Sequence, residues 1–117
     1  MFDNINRNLV TSDEFDEWIC SQTKGVQIKI LSKLQLLLEF GPLLGRPDVD
    51  SVYGSIHPNM KELRLSYKNQ PIRIFFAFDP IRDIFVCCGG MKGDKRFYKS
   101  MLKKADRIFS AHLQQFS

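Results

Sequence analysis

Glu62-Leu63-Arg64-Leu65-Ser66-Tyr67, followed by Lys68-Asn69-Gln70-Pro71 and then Ile72-Arg73-Ile74-Phe75-Phe76-Ala77-Phe78, decides the fold. Leu63, Leu65 and Tyr67 alternate with Glu62, Arg64 and Ser66, the period of a strand with one apolar face. A turn centred on Asn69-Gln70 predicts Tyr67 opposite Ile72, Leu65 opposite Ile74 and Leu63 opposite Phe76. Ser66 then faces Arg73 and Arg64 faces Phe75, which puts both arginines on the second face as diagonal neighbours. Asp79-Pro80-Ile81-Arg82-Asp83 makes the next turn, and Ile84 to Cys88 forms a third strand ending at Gly89-Gly90. Pairing Phe78 with Ile84 keeps Ile84, Val86 and Cys88 in the core and places Phe85 and Cys87 beside the arginines; moving the turn by one residue reverses this.

N-terminal to this meander, Asn6 to Val10 reads as a short strand. Thr11, Ser12 or Asp13 can cap a helix whose acidic first turns suit its positive end and whose Phe15, Trp18 and Ile19 form an apolar face. Gly25 marks a break, and a second helix runs from about Val26 to Phe40, with Ile30, Leu34, Leu37 and Leu38 inward and Gly41-Pro42 as its stop. Residues 41–60 form a long connection within one core. Asp94 can cap a last helix in which Phe97, Met101, Ala105, Ile108, Phe109 and Leu113 recur at helical spacing. The expected fold class is α+β: two N-terminal helices packed on a small antiparallel sheet, with a C-terminal helix.

The 117 residues suffice for a single domain, read as 1–117, and 44% apolar content argues for a packed core. Residues 1–60 carry five Lys/Arg against eight Asp/Glu, whereas residues 61–117 carry twelve against five. This asymmetry points to a polyanionic partner for the second half, or to a solvated basic helix. Cys20, Cys87 and Cys88 have no metal-ligand spacing and read as buried reduced thiols of a cytoplasmic protein. With no signal-like apolar segment and no apolar run near 18 residues, neither export nor a membrane partner is expected.

Arginines fixed on a sheet beside mobile lysines form a phosphate site, because guanidinium presents a planar fork of donors and ammonium a point charge. RNA is cut when its 2′-hydroxyl attacks the adjacent phosphorus, which requires in-line geometry, a proton acceptor and positive charge for the developing phosphorane. Arg64 and Arg73 suit the charge role. Lys92 and Lys95 lie in the glycine-containing exit from the last strand, where crowding by arginine would lower a lysine pKa. Tyr98, shifted down in a cationic pocket, would serve as acid or base. His57, held extended by Pro58, is a possible base, although a lone His in a loop is more often incidental. Lys61, Arg96 and Lys99 are phosphate contacts or simply solvated. Phe75, and Phe85 with it, would stack bases on a basic, partly aromatic concavity, or Phe75 packs on the C-terminal helix. Glu62 reads as an ion-pair partner orienting Arg64, and Arg82 sits in a turn away from the site. Gly89 and Gly90 permit a bulge or close approach of RNA, or merely end a strand.

Glu62-Leu63-Arg64, the run Arg73 to Pro80, the ending Gly89-Gly90-x-Lys92-x-x-x-x-Phe97-Tyr98 and the pair Ala105-Asp106 together resemble RelE/HigB-type toxins of bacterial type II toxin–antitoxin pairs, most of all their phage-related HigB-like branch. The resemblance covers roughly residues 30–113. It implies the RelE-like fold of the microbial ribonuclease-like superfamily. It also implies an mRNA interferase, an endoribonuclease acting on mRNA at the ribosome. Such a toxin would need no metal or cofactor, would use Lys, Arg and Tyr, and would be neutralised by a cognate antitoxin, a helix-turn-helix HigA-like protein. A basic-face binding module without catalysis, or a phage-derived interaction protein that binds an antitoxin or nucleic acid, are the competing expectations.

Overall fold

The computed structural model describes residues 7–117. Its elements are β1 (Leu9–Thr11), α1 (Asp13–Cys20), α2 (Lys24–Phe40), β2 (Val49–Ser51), β3 (Lys61–Tyr67), β4 (Gln70–Phe78), β5 (Ile84–Met91) and α3 (Phe97–Leu113). The strands form one sheet in the order β1-β5-β4-β3-β2, antiparallel except for the parallel pairing of β1 with β5. The strand expected from Asn6 begins at Leu9, Asn6 itself lying outside the described residues.

α1 starts at Ser12, whose hydroxyl accepts from the Phe15 amide at 3.0 Å and donates to the Cys87 carbonyl, so one side chain caps the helix and ties it to β5. Ser12→Ala is expected to cost about 1–2 kcal/mol, read as a lower urea midpoint at unchanged m-value; an unchanged midpoint would show that the tie is replaced by water. α2 begins at Thr23, so the break falls before Gly25 rather than at it. Tyr67 packs over Gly25, where a Cβ would stand 2.1 Å from the Tyr67 hydroxyl.

The β3–β4 hairpin turns on Lys68 and Asn69, both with positive φ (48° and 67°), the conformation of a tight turn whose twist matches its strands. The turn lies one residue earlier than expected, and the register shifts by two: Leu63 faces Ile74, Leu65 faces Ile72 and Arg64 faces Arg73. A two-residue shift preserves the faces. Leu63, Leu65, Ile72, Ile74 and Phe76 therefore meet α1 and α2 in one core layer with Phe15, Ile30, Leu34 and Leu37.

Phe78 does pair with Ile84, but Cys87 is an extra residue: Phe76 faces Val86 while Phe75 faces Cys88. The bulge inverts the alternation, so Cys88 joins Phe85 and Cys87 on the second face instead of the first. Burial pushes the Cys88 thiol up to about 12 and raises the Cys87 thiol as well. Cys20, in contrast to the expectation, is exposed. Gly89 and Gly90 lie within β5, the first under the Trp18 ring and the second under Phe97 and Met101, so they admit side chains of this chain rather than RNA.

The second face is not an open concavity. α3 lies across it and buries Phe97, Leu102, Ala105, Ile108 and Phe109 against Phe75, Ala77 and Phe85. The Asp94 carboxylate accepts from the Arg96 amide and the Asp94 carbonyl from Phe97, just ahead of the helix.

Candidate functional site

α3 leaves uncovered the end of the second face where β3 and β4 turn back. Four side chains converge there: Glu62 and Arg64 from β3, Arg73 from β4 and Tyr98 from the first turn of α3. The register sets the two arginines directly opposite each other, a repulsive pairing unless a counter-charge is shared. Glu62 supplies it. Its Oε1 lies 3.6 Å from Arg73 Nε and its Oε2 lies 3.9 Å from Arg64 Nε. Tyr98 Oη donates to Glu62 Oε1 at 2.7 Å and accepts from Arg73 Nε at 3.3 Å.

The two arginines differ in kind. Arg73 is buried; its Nε donates to Tyr98 and its Nη1 to the Ile72 carbonyl at 3.0 Å, so two of its three nitrogens are engaged within the protein. The Arg64 side chain retains 39% of its exposure, with Asp50 Oδ2 at 3.8 Å. It stands between two clefts. One, of about 380 Å³, is lined by Asp50, Ser51, Val52, Tyr53, Glu62, Arg64 and Tyr98. The other, of about 480 Å³, is lined by Arg64, Ser66, Pro71 and Arg73 of the hairpin together with Lys29 and Lys33 of α2. The amide of Ser51 holds the Asp50 carboxyl below its usual range, with Arg46 and Arg64 contributing, so Asp50 is anionic beside Arg64 at neutral pH.

Tyr98 departs from expectation. Burial and the hydrogen bond to Glu62 raise its pKa, outweighing the lowering by Arg73. It is a neutral phenol at physiological pH. Lys92 stands with its Nζ 5.5 Å from the Tyr98 ring centroid, and its amide is fixed by the Pro71 carbonyl at 2.9 Å.

Among the other expected site residues, Lys95, Arg96 and Lys99 are exposed around the start of α3. Phe75 is fully buried, edge-on to Tyr98 at 6.1 Å and tilted against Phe97, so it supports the tyrosine and offers no face to a base. Lys61 alternates onto the face of Leu63, opposite Phe76 and across the sheet from the arginines. His57 is engaged by Ser110 Oγ at 2.8 Å and by the Phe109 ring, near the C-terminal end of α3 and outside the cluster. Arg82 is exposed in the β4–β5 turn. Glu62 is more central than expected: its ion pair with Arg64 was legible from their spacing, but its bond to Tyr98 joins residues 36 apart. Among the described residues, no group of three or more His, Cys, Asp or Glu is placed to hold a metal ion, and no helix is long and apolar enough to cross a membrane.

Residues 17–110 match the profile of the family described as phage derived protein Gp49-like. The chain is 37% identical over 107 residues to the putative toxin HigB2 of Mycobacterium tuberculosis, an alignment covering 89% of this chain and 53% of that protein, so the chain spans about half the length of this relative. It is 38% identical over 96 residues to the putative toxin HigB3 of the same organism, covering 80% of this chain and 82% of that one. Among solved structures, the isolated E. coli RelE toxin superposes with a TM-score of 0.59 at 15% identity, covering 84% of this chain and 97% of RelE. A chain of the intact E. coli RelBE toxin–antitoxin complex gives 0.57 at 13% identity, covering 75% of this chain and 99% of the other. These likenesses bear out the RelE-like α+β fold.

Proposed function

Because the chain belongs to the phage-derived Gp49-like family, we propose that it is the toxin of a type II toxin–antitoxin pair, an endoribonuclease that cuts mRNA on the ribosome in the cytoplasm. Residues 1–117 act as one toxin domain, and a cognate HigA-like antitoxin neutralises it. The observation that carries this is the cluster of Glu62, Arg64, Arg73 and Tyr98 at the open end of a RelE-like sheet. The relatives named as HigB toxins and the neighbour solved with its antitoxin support the biological setting.

In the proposed reaction the 2′-oxygen bonds to phosphorus as the bond to the 5′-oxygen breaks, leaving a 2′,3′-cyclic phosphate and a 5′-hydroxyl. Arg64 binds the non-bridging oxygens and meets the charge that grows on them, with Lys92 as a second cation. Tyr98 accepts the 2′-proton while its own passes along the existing hydrogen bond to Glu62; the departing 5′-oxygen takes a proton from water in the open cleft, and Glu62 returns its proton to solvent. Arg73 donates to the same phenolic oxygen and stabilises charge that develops there. Lys95, Arg96 and Lys99 contact the RNA backbone.

Induced expression followed by mapping of mRNA 5′ ends tests the proposal. New ends carrying 5′-hydroxyls are expected within minutes of induction, and co-expression of the antitoxin should suppress them. Growth arrest without new ends would instead favour the non-catalytic binding module.

A further inference from the structure

Tyr53 is 96% exposed, the most of any large hydrophobic residue among those described. It does not hang on a loose loop. Val52 before it packs into the α3 core layer, and Met60 at the far end of the loop is 1% exposed. Between them the Asp106 carboxylate accepts from the Ser55 hydroxyl and, at 3.0 Å, from the Ile56 amide, while His57 Nε2 meets Ser110 Oγ at 2.8 Å. The loop is clasped along α3, and the clasp holds an aromatic ring out in water. That ring borders two clefts. One contains Glu62, Arg64 and Tyr98; the other, of about 460 Å³, contains Tyr98, Lys99 and Lys103.

We propose that Tyr53 is a nucleobase platform, stacking a base of the RNA whose phosphates lie at Arg64 on one side and at Lys99 and Lys103 on the other. Every base has a π-face, so an aromatic ring between cations grips single-stranded RNA with little sequence preference. The role expected for buried Phe75 thus falls to a loop residue. The inference rests on RNA being the ligand of this site. A docked protein segment is the alternative occupant, but a helix laid in a groove needs a row of apolar anchors, and beside Tyr53 these clefts carry one other strongly exposed large apolar side chain, Ile56, among Asp50, Glu62, Arg64, Lys99 and Lys103.

The probe is a short 2′-O-methyl oligoribonucleotide, which cannot be cut because its nucleophile is blocked. Binding to the full chain is followed by fluorescence anisotropy across a salt series. Tyr53→Phe should bind within twofold of wild type. Tyr53→Ala and Tyr53→Leu should bind roughly tenfold more weakly with an unchanged salt slope, because a π-face is lost and no charge is. Wild-type affinity in Tyr53→Ala, full rescue by leucine, a loss confined to antitoxin binding, or no binding of the probe by wild type would each overturn the platform. The two proposals fail separately. Mapped mRNA cuts with Tyr53-independent binding would sink the platform alone; Tyr53-dependent binding without cuts would sink the nuclease alone.

Discussion

Arg64→Ala is expected to keep its fold and lose growth arrest, with cleavage reduced by about a hundredfold or more, the usual scale for removing one preorganised charge donor from a transition state. Its side chain is 39% exposed and its carboxylate neighbours lie at 3.8 and 3.9 Å, so the stability change should stay below about 1 kcal/mol. Arg73→Ala should fail differently. The Arg73 and Glu62 side chains are each 8% exposed, and removing the cation leaves a buried carboxylate without its buried counter-charge, held by the Tyr98 hydroxyl and by Arg64 at 3.9 Å. Breaking such a pair costs about 3 kcal/mol or more. Urea denaturation beside a cleavage assay separates the two: Arg64→Ala unfolds like wild type and does not cut, whereas Arg73→Ala loses both stability and activity. A fully stable Arg73→Ala that is merely inactive would mean the Arg73 guanidinium faces substrate rather than the protein.

That contrast marks what the sequence could and could not convey. Period-two alternation put both arginines on one face, and this survived a register error of two residues because parity is all that a face requires. Alternation does not say how deep a residue lies. Arg64 and Arg73 look equivalent in sequence, yet one sits near the short β2 edge and the other in a central strand. The Cys87 bulge had no signal in Val86-Cys87-Cys88, and so the face of Cys88 was misjudged. The parallel pairing of β1 joins segments some 75 residues apart in sequence, beyond any local pattern.

The burial of Phe75 was legible in principle. Phe97, Ile108 and Phe109 gave α3 an apolar face that had to be covered, and α1 and α2 left the sheet surface of Phe75, Ala77 and Phe85 to cover it. Tyr53 was not legible, because a loop carries no periodicity from which exposure can be read. Its placement depends on Asp106, half the chain away, whose carboxylate clasps the loop.

Tyr98→Phe is expected to lower cleavage by about a hundredfold while leaving RNA affinity nearly unchanged. The ring keeps its edge contacts with Phe75 and Phe97 and stays under Lys92, so only the hydroxyl between Arg73 and Glu62 is lost. Some loss of stability accompanies it, about 1–2 kcal/mol, because the Glu62 carboxylate forfeits its 2.7 Å donor. The phenol is raised above its ordinary 10 in the folded protein, so the native state holds this proton more firmly than the unfolded chain. Its contribution to stability is present in full below pH 10 and is lost as pH rises through the folded value. The difference in tyrosinate absorbance between wild type and Tyr98→Phe should accordingly rise only above pH 10. A transition below that would mean the two arginines dominate burial and Glu62, and a standing tyrosinate base would replace the relay. If Tyr98→Phe cuts at the wild-type rate, the hydroxyl is structural and the proton must go directly to Glu62, the remaining acceptor between the two guanidiniums.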